Sequence, residues 1–324
     1  AGYVPELDFW QVGSRHLGLV LPGEIENLQE QMRQLGDCLE KTLDVDVLLK
    51  LGEKADIDVL GSVTVTADGS SQKCEAQKNA DLVLQNQFAG EKISHSVIRI
   101  RLGVAWDEAF CFYYRDNLEF LEKQGVQIVR FSPVHDKHLP DDLDGLLLGG
   151  GYPELHAKAL SENISMRNAI RQAVMEEMPC IAECGGYLYL KDSIVDPDGV
   201  EWPMAGVLPG SSRDTGKLGR FGYITVTSKK EGLLGPAGTE FRAHEFHHWD
   251  SEENGTDFAA KKPVGTRGWD CGYTTESFYA GFPHLYFYSN VKIAENFIKC
   301  AETWKKKNPI SEADLEWIFA RNYE

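Results

Sequence analysis

Residues 181–190 read Ile-Ala-Glu-Cys-Gly-Gly-Tyr-Leu-Tyr-Leu. Cys184 follows a short apolar run, with Ala182 two positions before it and Gly186 two after. A strand that turns sharply into a helix around a nucleophile needs small residues at those two positions, and its nucleophile takes strained backbone angles. Such a turn lifts the sulfur above a sheet and aims a helix N-terminus at it, which favours the thiolate. Cys184 is therefore read as a nucleophile that forms a covalent intermediate. A cysteine taken alone is more often an inert core thiol, so its surroundings must carry the reading.

The chain has 324 residues, 42% of them hydrophobic, enough for about two domains with ordinary cores. Its net charge is −17, from 50 acids against 33 bases. That argues against nucleic acid or an anionic membrane surface as the main partner. No run of about 18 apolar residues and no signal peptide are present, so a cytoplasmic location is expected. Seven dispersed cysteines, with no C-x-x-C pair, disfavour a disulfide framework and a structural zinc site. The chain opens at Ala1 on Gly-Tyr-Val-Pro, which suggests a missing preceding part.

Outward from Cys184, apolar runs alternate with helical patterns. Strands are expected at 97–105, 126–131, 143–148 and 179–182, and helices over 117–124, closed by Gly125, and 160–175. This alternation predicts an α/β fold, a mainly parallel sheet with helices on both faces. Sites in such sheets form at the carboxyl ends of strands, where the turns 106–109, 149–154 and 184–186 fall. The later part is more β-like, with strands expected over 221–227, 240–249 and 277–288. Earlier, a buried strand is expected at 16–21 and helices over 24–43 and 45–54. Residues 64–90, rich in Ser, Thr, Gln, Asn, Asp and Ala, read as an exposed linker. The resulting division is 1–60, a linker at 61–95, and a main domain at 96–324.

A nucleophilic cysteine needs a base and oxyanion donors. The N–H of Gly185 is the first donor candidate. The run Gly149-Gly150-Gly151 after a strand supplies others, because glycines let backbone N–H groups turn inward. His284, in Gly-Phe-Pro-His-Leu-Tyr-Phe-Tyr, lies in a strand pattern with Leu285 and Phe287 opposite to it and Tyr286. It is the candidate base, although a histidine among aromatics is more often a core residue. His244-Glu245-Phe246-His247-His248 fits H-E-x-x-H, but that zinc motif works on a helix, and here Gly and Pro precede it and aromatics punctuate it. No metal site is expected. The run Gly210 to Lys217 misses the phosphate-loop spacing by one residue and has Leu218 where Ser or Thr belongs. The same region places Arg213, Lys217 and Arg220 on one loop of an acidic protein, either a solvated turn or an attractor for an anionic substrate.

The segments 182–190, 146–154 (Leu-Leu-Leu-Gly-Gly-Gly-Tyr-Pro-Glu), 243–247 (Ala-His-Glu-Phe-His), 103–114 and 280–287 together resemble the cobyrinate a,c-diamide synthase family. Arg-His-Leu-Gly-Leu-Val (15–20) is similar to the end of that family's first domain. The resemblance implies the last part of a P-loop synthetase domain over 1–60, followed by a class I glutamine amidotransferase domain of flavodoxin-like fold. It implies Cys184 as nucleophile on glutamine, His284 as base, and Gly150, Gly151 and Gly185 as oxyanion holders. Glu154, His244 and His247 are candidates for a structural, substrate-side or domain-interface role, and Arg213, Lys217 and Arg220 form either a solvated turn or an attractor for the corrinoid polycarboxylate. ATP and magnesium are implied for the full-length enzyme, and none for this chain alone; a homodimer is left open. Many class I amidotransferases carry a glutamate two residues after the histidine; here that position is Tyr286, so a Cys–His dyad without an orienting acid is expected. A non-catalytic remnant and a cysteine hydrolase acting on peptides are the alternatives. The tetrapyrrole itself (cobyrinate, hydrogenobyrinate or a nickel sirohydrochlorin) is left open.

Overall fold

The computed structural model describes residues 2–7, 14–15, 18–20, 22–53, 64–65, 71–72 and 100–309. The chain divides into two units, Ala1–Val97 and Ile98–Glu324.

In the first unit, β1 (Ser14–Arg15) and β2 (Gly18–Leu19) form a short antiparallel pair; of the strand expected at 16–21, residues 16, 17 and 21 lie outside the described residues. Pro22–Glu24 makes a 3-10 turn, and Asn27 takes the left-handed region at φ 54°. The helix expected from residue 24 therefore starts later, as α1 (Leu28–Thr42). α2 spans Val45–Glu53. Within the expected linker, β3 (Thr64–Val65) pairs with β4 (Ser71–Gln72); the rest of 61–95 lies outside the described residues.

The second unit opens with β5 (Arg101–Ala105), α3 (Arg115–Lys123), β6 (Gln127–Phe131) and β7 (Gly145–Leu148). α3 buries Leu118, Phe120 and Leu121 along one face. It stops where Gly125 takes φ +85°, a conformation that costs a glycine little. Two helices follow, α4 (Ala157–Glu162) and α5 (Ile164–Met175), where one was expected. Asn163 breaks the run: its side-chain amide donates to Pro133 O at 2.8 Å and Asp136 O at 2.7 Å, tying the break to the neighbouring loop. β8 (Cys180–Glu183) leads through Cys184 into the short α6 (Gly185–Tyr189).

The remaining strands are β9 (Ser193–Val195), β10 (Glu201–Pro203), β11 (Ser211–Asp214), β12 (Arg220–Ser228), β13 (Glu240–His247), β14 (Trp249–Ser251), β15 (Phe258–Lys261), β16 (Gly268–Cys271), β17 (Tyr273–Thr274), β18 (Phe278–Gly281) and β19 (His284–Leu285). α7 (Val291–Lys307) follows.

The six-stranded sheet runs β17-β18-β8-β7-β5-β6. All its pairs are parallel except β17 with β18. Numbered by appearance, the parallel strands lie 2-1-3-4-5, the flavodoxin-like order, so the fold is α/β as expected. β7 and β8 are buried along their whole length, as central parallel strands are. Alternate residues feed opposite cores. Leu146, Leu148, Cys180 and Ala182 pack with residues of α4, α5 and α6. Leu102, Val104, Leu147 and Ile181 face Leu118, Phe120, Ile293 and Phe297 of α3 and α7, together with Ile224, Val226, Phe241 and Ala243.

Those last four belong to a five-stranded antiparallel sheet, β16-β15-β12-β13-β19. One face of the parallel sheet is thus covered partly by a second sheet, not by helices alone. Its strands alternate apolar-in and polar-out, with Phe241, Ala243, Glu245 and His247 all turned inward from β13. A four-stranded sheet, β10-β9-β11-β14, completes the unit.

Two stretches expected as single strands divide between sheets. Phe278–Gly281 lies in the parallel sheet, and His284–Leu285 pairs with β13 in the antiparallel one. Pro283, which has no N–H for a ladder, sits at the crossing. Residues 240–247 and 249–251 likewise separate into β13 and β14.

The turn after β8 depends on Gly186. A methyl group there would stand 2.1 Å from the carbonyl oxygen of Leu148, a backbone atom of β7. Gly186→Ala is expected to cost about 2–3 kcal/mol and lower the melting temperature by roughly 5–10 °C. Gly219→Ala, where nothing lies within 4 Å, leaves it unchanged. Differential scanning calorimetry of the two variants checks this.

Candidate active site

Cys184 has φ 47° and ψ −102°, a conformation rare for a side chain with a Cβ. Strain of this kind costs of order 1–3 kcal/mol and persists only where the surroundings impose it. They do so here through backbone hydrogen bonds on both sides. Cys184 N donates to Gly281 O of β18 at 2.8 Å, and Gly186 N donates to Gly149 O after β7 at 2.8 Å.

The same bonds gather the glycine turn. Gly150 O accepts from Cys111 N at 3.0 Å and Phe112 N at 2.9 Å. A methyl built on Gly185 would lie 2.9 Å from Gly151 N, so the two runs named as oxyanion holders are adjacent. A methyl on Gly150 would lie 2.4 Å from Cε1 of His284. The structure therefore brings together Gly150, Gly151, Gly185 and His284 beside the Cys184 turn.

His284 arrives because the chain changes sheets after β18. In β19 it stands opposite His244 of β13. Its neighbour Leu285 is anchored from α3: Asn117 Nδ2 donates to Leu285 O at 2.7 Å, and Phe287 N donates to Asn117 Oδ1 at 2.9 Å. Tyr113 fixes the other side. Its hydroxyl donates to Ala105 O and accepts from Gly149 N at 2.9 Å.

Sequence reasoning missed Asn117, Tyr113 and one further residue, Glu183. The Glu183 carboxylate is 5% exposed. Its Oε1 accepts from Leu285 N at 2.9 Å, and its Oε2 lies 3.9 Å from His284 Nδ1. The available signal was a charged residue ending a fully buried strand, which is rare unless paired or functional.

The electrostatics differ from the expectation that the helix N-terminus would stabilise a thiolate. Burial pushes the Cys184 thiol up, and the charges of Glu154 and Glu245 add to this. The Gly185 N–H, bonded to the sulfur, pulls the other way. α6 has only five residues, too short for a strong dipole against that burial. Burial also lowers His284 to about 4, with His244 and His247 nearby adding to the effect. The resting pair is a neutral thiol beside a neutral imidazole, which is the form that accepts a proton.

Glu154 is 2% exposed, close enough for its charge to act on Cys184. His247 is buried, stacked on Phe282 at 3.6 Å, with Nε2 3.0 Å from Glu245 Oε1 and Nδ1 2.7 Å from Trp249 O. His244 packs instead among Phe221 and Tyr223. The H-E-x-x-H run is strand through His247, so its outer histidines stand roughly 13 Å apart along the chain, too far to share one ion. The basic loop does not act as one patch. Arg213, in β11, pairs with Glu252; Arg220 turns toward the buried Glu245, with Nη1 3.7 Å from Oε1; Lys217 stays exposed on the turn. Since Ser211–Asp214 is a strand, Gly210–Lys217 forms no phosphate cradle.

A family model described as the CobB/CobQ-like glutamine amidotransferase domain matches residues 101–291. The chain belongs to this family. It is similar to proteins named cobyrinate a,c-diamide synthase from several organisms. The one from Caldanaerobacter subterraneus is 32% identical over 94% of this chain and 62% of its own length. That from Syntrophotalea carbinolica is 36% identical over 88% and 58%, and that from Priestia megaterium 31% over 94% and 61%. The chain spans about three fifths of the length of these relatives. A crystal structure of a glutamine amidotransferase superposes with a TM-score of 0.45 at 18% identity, over 62% of this chain and 98% of that one. Among the described residues, no helix is long and apolar enough to cross a membrane.

The depressed His284 has a consequence for stability. The folded chain keeps this imidazole neutral down to about 4, while the unfolded chain protonates it near 6.5. Between those values the unfolded state binds more protons, so stability falls as pH falls through the window. Urea unfolding at pH 7 and pH 4.5 is expected to show a smaller acid loss for His284→Gln than for the unaltered chain.

Proposed function

We propose that this amidotransferase domain is the glutaminase portion of a cytoplasmic enzyme that amidates the a and c carboxylates of cobyrinate. The observation that carries the glutaminase reading is the strained Cys184, gathered with His284 and the 149–151 turn at the carboxyl ends of β7, β8 and β18. The corrinoid rests on the relatives' names alone.

Glutamine enters with its side-chain amide carbon toward Cys184 Sγ. His284 takes the thiol proton as sulfur attacks that carbon. The oxygen, now carrying the negative charge, is held by N–H groups of Gly185 and the Gly150–Gly151 turn. His284 returns the proton to the departing nitrogen, ammonia leaves, and a γ-glutamyl thioester remains on Cys184. Water, deprotonated by the same imidazole, releases glutamate.

At 3% exposed, Cys184 is closed over in this arrangement, and both proton-transfer partners are neutral. The resting site therefore turns over glutamine slowly until substrate or the synthetase part opens and orders it. The steps above use only residues of this domain; ATP and magnesium would act in the synthetase part of the full-length enzyme.

Incubation of the chain with glutamine is expected to release glutamate, and Cys184→Ala to abolish the release. A diazoketone analogue of glutamine is expected to add its mass, less dinitrogen, to Cys184 alone by peptide mass spectrometry. Absence of both labelling and turnover would point to a non-catalytic module. Cys184-dependent peptide cleavage without glutamate release would point to a peptidase.

A further inference from the structure

We propose that Glu183, the residue before the nucleophile, is the positioning acid for His284, so that the site works as a Cys184–His284–Glu183 relay. The proposal rests on reading Cys184 as nucleophile and His284 as base. It replaces the expectation of a dyad without an acid.

The position where related enzymes carry a glutamate is filled by Tyr286, whose hydroxyl bonds to Asp116 Oδ2 at 3.1 Å, on an exposed part of the chain. The acid instead reaches the imidazole from the neighbouring strand. β8 and β18 run in parallel register, with Glu183 opposite Gly281, so the Glu183 side chain meets the segment entering β19. Its Oε1 is fixed by Leu285 N at 2.9 Å, and Leu285 is itself held by Asn117. The carboxylate is therefore anchored to the residue after His284, and its second oxygen faces His284 Nδ1 at 3.9 Å. A movement of about 1 Å closes that gap to a hydrogen bond.

A buried carboxyl group without a charged partner is costly. Among the described residues, its charge acts on Tyr113, Tyr114, Tyr279 and Cys184, none of them a cation. The imidazolium that forms during turnover supplies the missing positive charge.

The chemistry depends on which ring nitrogen carries the proton. When Glu183 is ionised it accepts from Nδ1–H, leaving the lone pair of Nε2 to take the Cys184 proton. When it is protonated, Oε2–H donates to Nδ1 and the ring proton moves to Nε2, the unproductive form. Burial raises Glu183 to about 8, so the productive form grows as pH rises through that value. The Cys184 thiol is pushed higher still and does not mask this limb.

Glu183→Gln keeps the acceptor for Leu285 N but presents an N–H to Nδ1, fixing the unproductive tautomer. With the whole chain and glutamine, kcat is expected to fall by about 10- to 100-fold with KM within about twofold, and the rise with an apparent pKa near 8 to vanish. Nitrogen NMR of labelled histidine at pH 9 is expected to show the proton of His284 on Nδ1 in the unaltered chain and on Nε2 in the variant. Glu183→Asp, still ionisable, is expected to retain the limb at lower kcat and serves where the Gln variant does not fold. Unchanged kcat and pH profile in Glu183→Gln, or the same His284 tautomer in both chains, would overturn the proposal. If the unaltered chain hydrolyses no glutamine, the functional reading fails, and the tautomer measurement still decides whether Glu183 orients the ring.

Discussion

The site depends on one backbone constraint, the positive φ of Cys184. A strained residue of this kind is stable only because its own amide and that of Gly186 are fixed to Gly281 O of β18 and to Gly149 O just after β7. Those two bonds also determine what stands next to the sulfur. One ties the turn to the strand that leads to His284, and the other ties it to the glycine run. The strained turn and the placement of His284 and the glycine run beside it follow from one pair of hydrogen bonds, and the close approach of Gly186 to Leu148 O is the steric condition for both.

The second determinant is the change of sheet between β18 and β19. A strand continuing in the parallel sheet would keep residue 284 in line with β18 and away from β13. Pro283 ends that ladder, and His284 pairs with β13 opposite His244. The antiparallel sheet therefore does more than cover a core. It supplies the floor on which the imidazole rests, and it brings Glu245 and the Phe246 carbonyl close to Cys184, with Phe246 O 3.9 Å from Sγ.

Much of this was legible in the sequence, for reasons that differ by residue. The parallel strands were readable because central strands are apolar throughout and their turns carry glycine. Cys184 was readable because small residues at fixed offsets mark a tight turn. His284 needed the demand for a base, and the family resemblance, to stand out from eight other histidines. What stayed hidden depends on tertiary contact. Asn163 splitting a helix, Pro283 moving a strand between sheets and Asn117 pinning Leu285 all act through partners distant in sequence. Glu183 stayed hidden because the acid of many class I amidotransferases stands two residues after the histidine, while this fold offers one from the adjacent strand.

The reversed expectation about the thiol says how such a site is controlled. A dipole from a five-residue helix and one N–H from Gly185 do not outweigh burial and the charges of Glu154 and Glu245. The resting cysteine is consequently a thiol, and the histidine lowered to about 4 is an uncharged acceptor. A preformed thiolate–imidazolium pair would react with any electrophile that reached it. In the proposed reaction, a neutral pair inside an acidic, closed site would become reactive only as the substrate oxygen begins to carry charge and meets the N–H groups of the glycine turns. On that proposal, the same burial that keeps the thiol protonated at rest would strengthen those N–H groups during the reaction, because they would act where water does not compete.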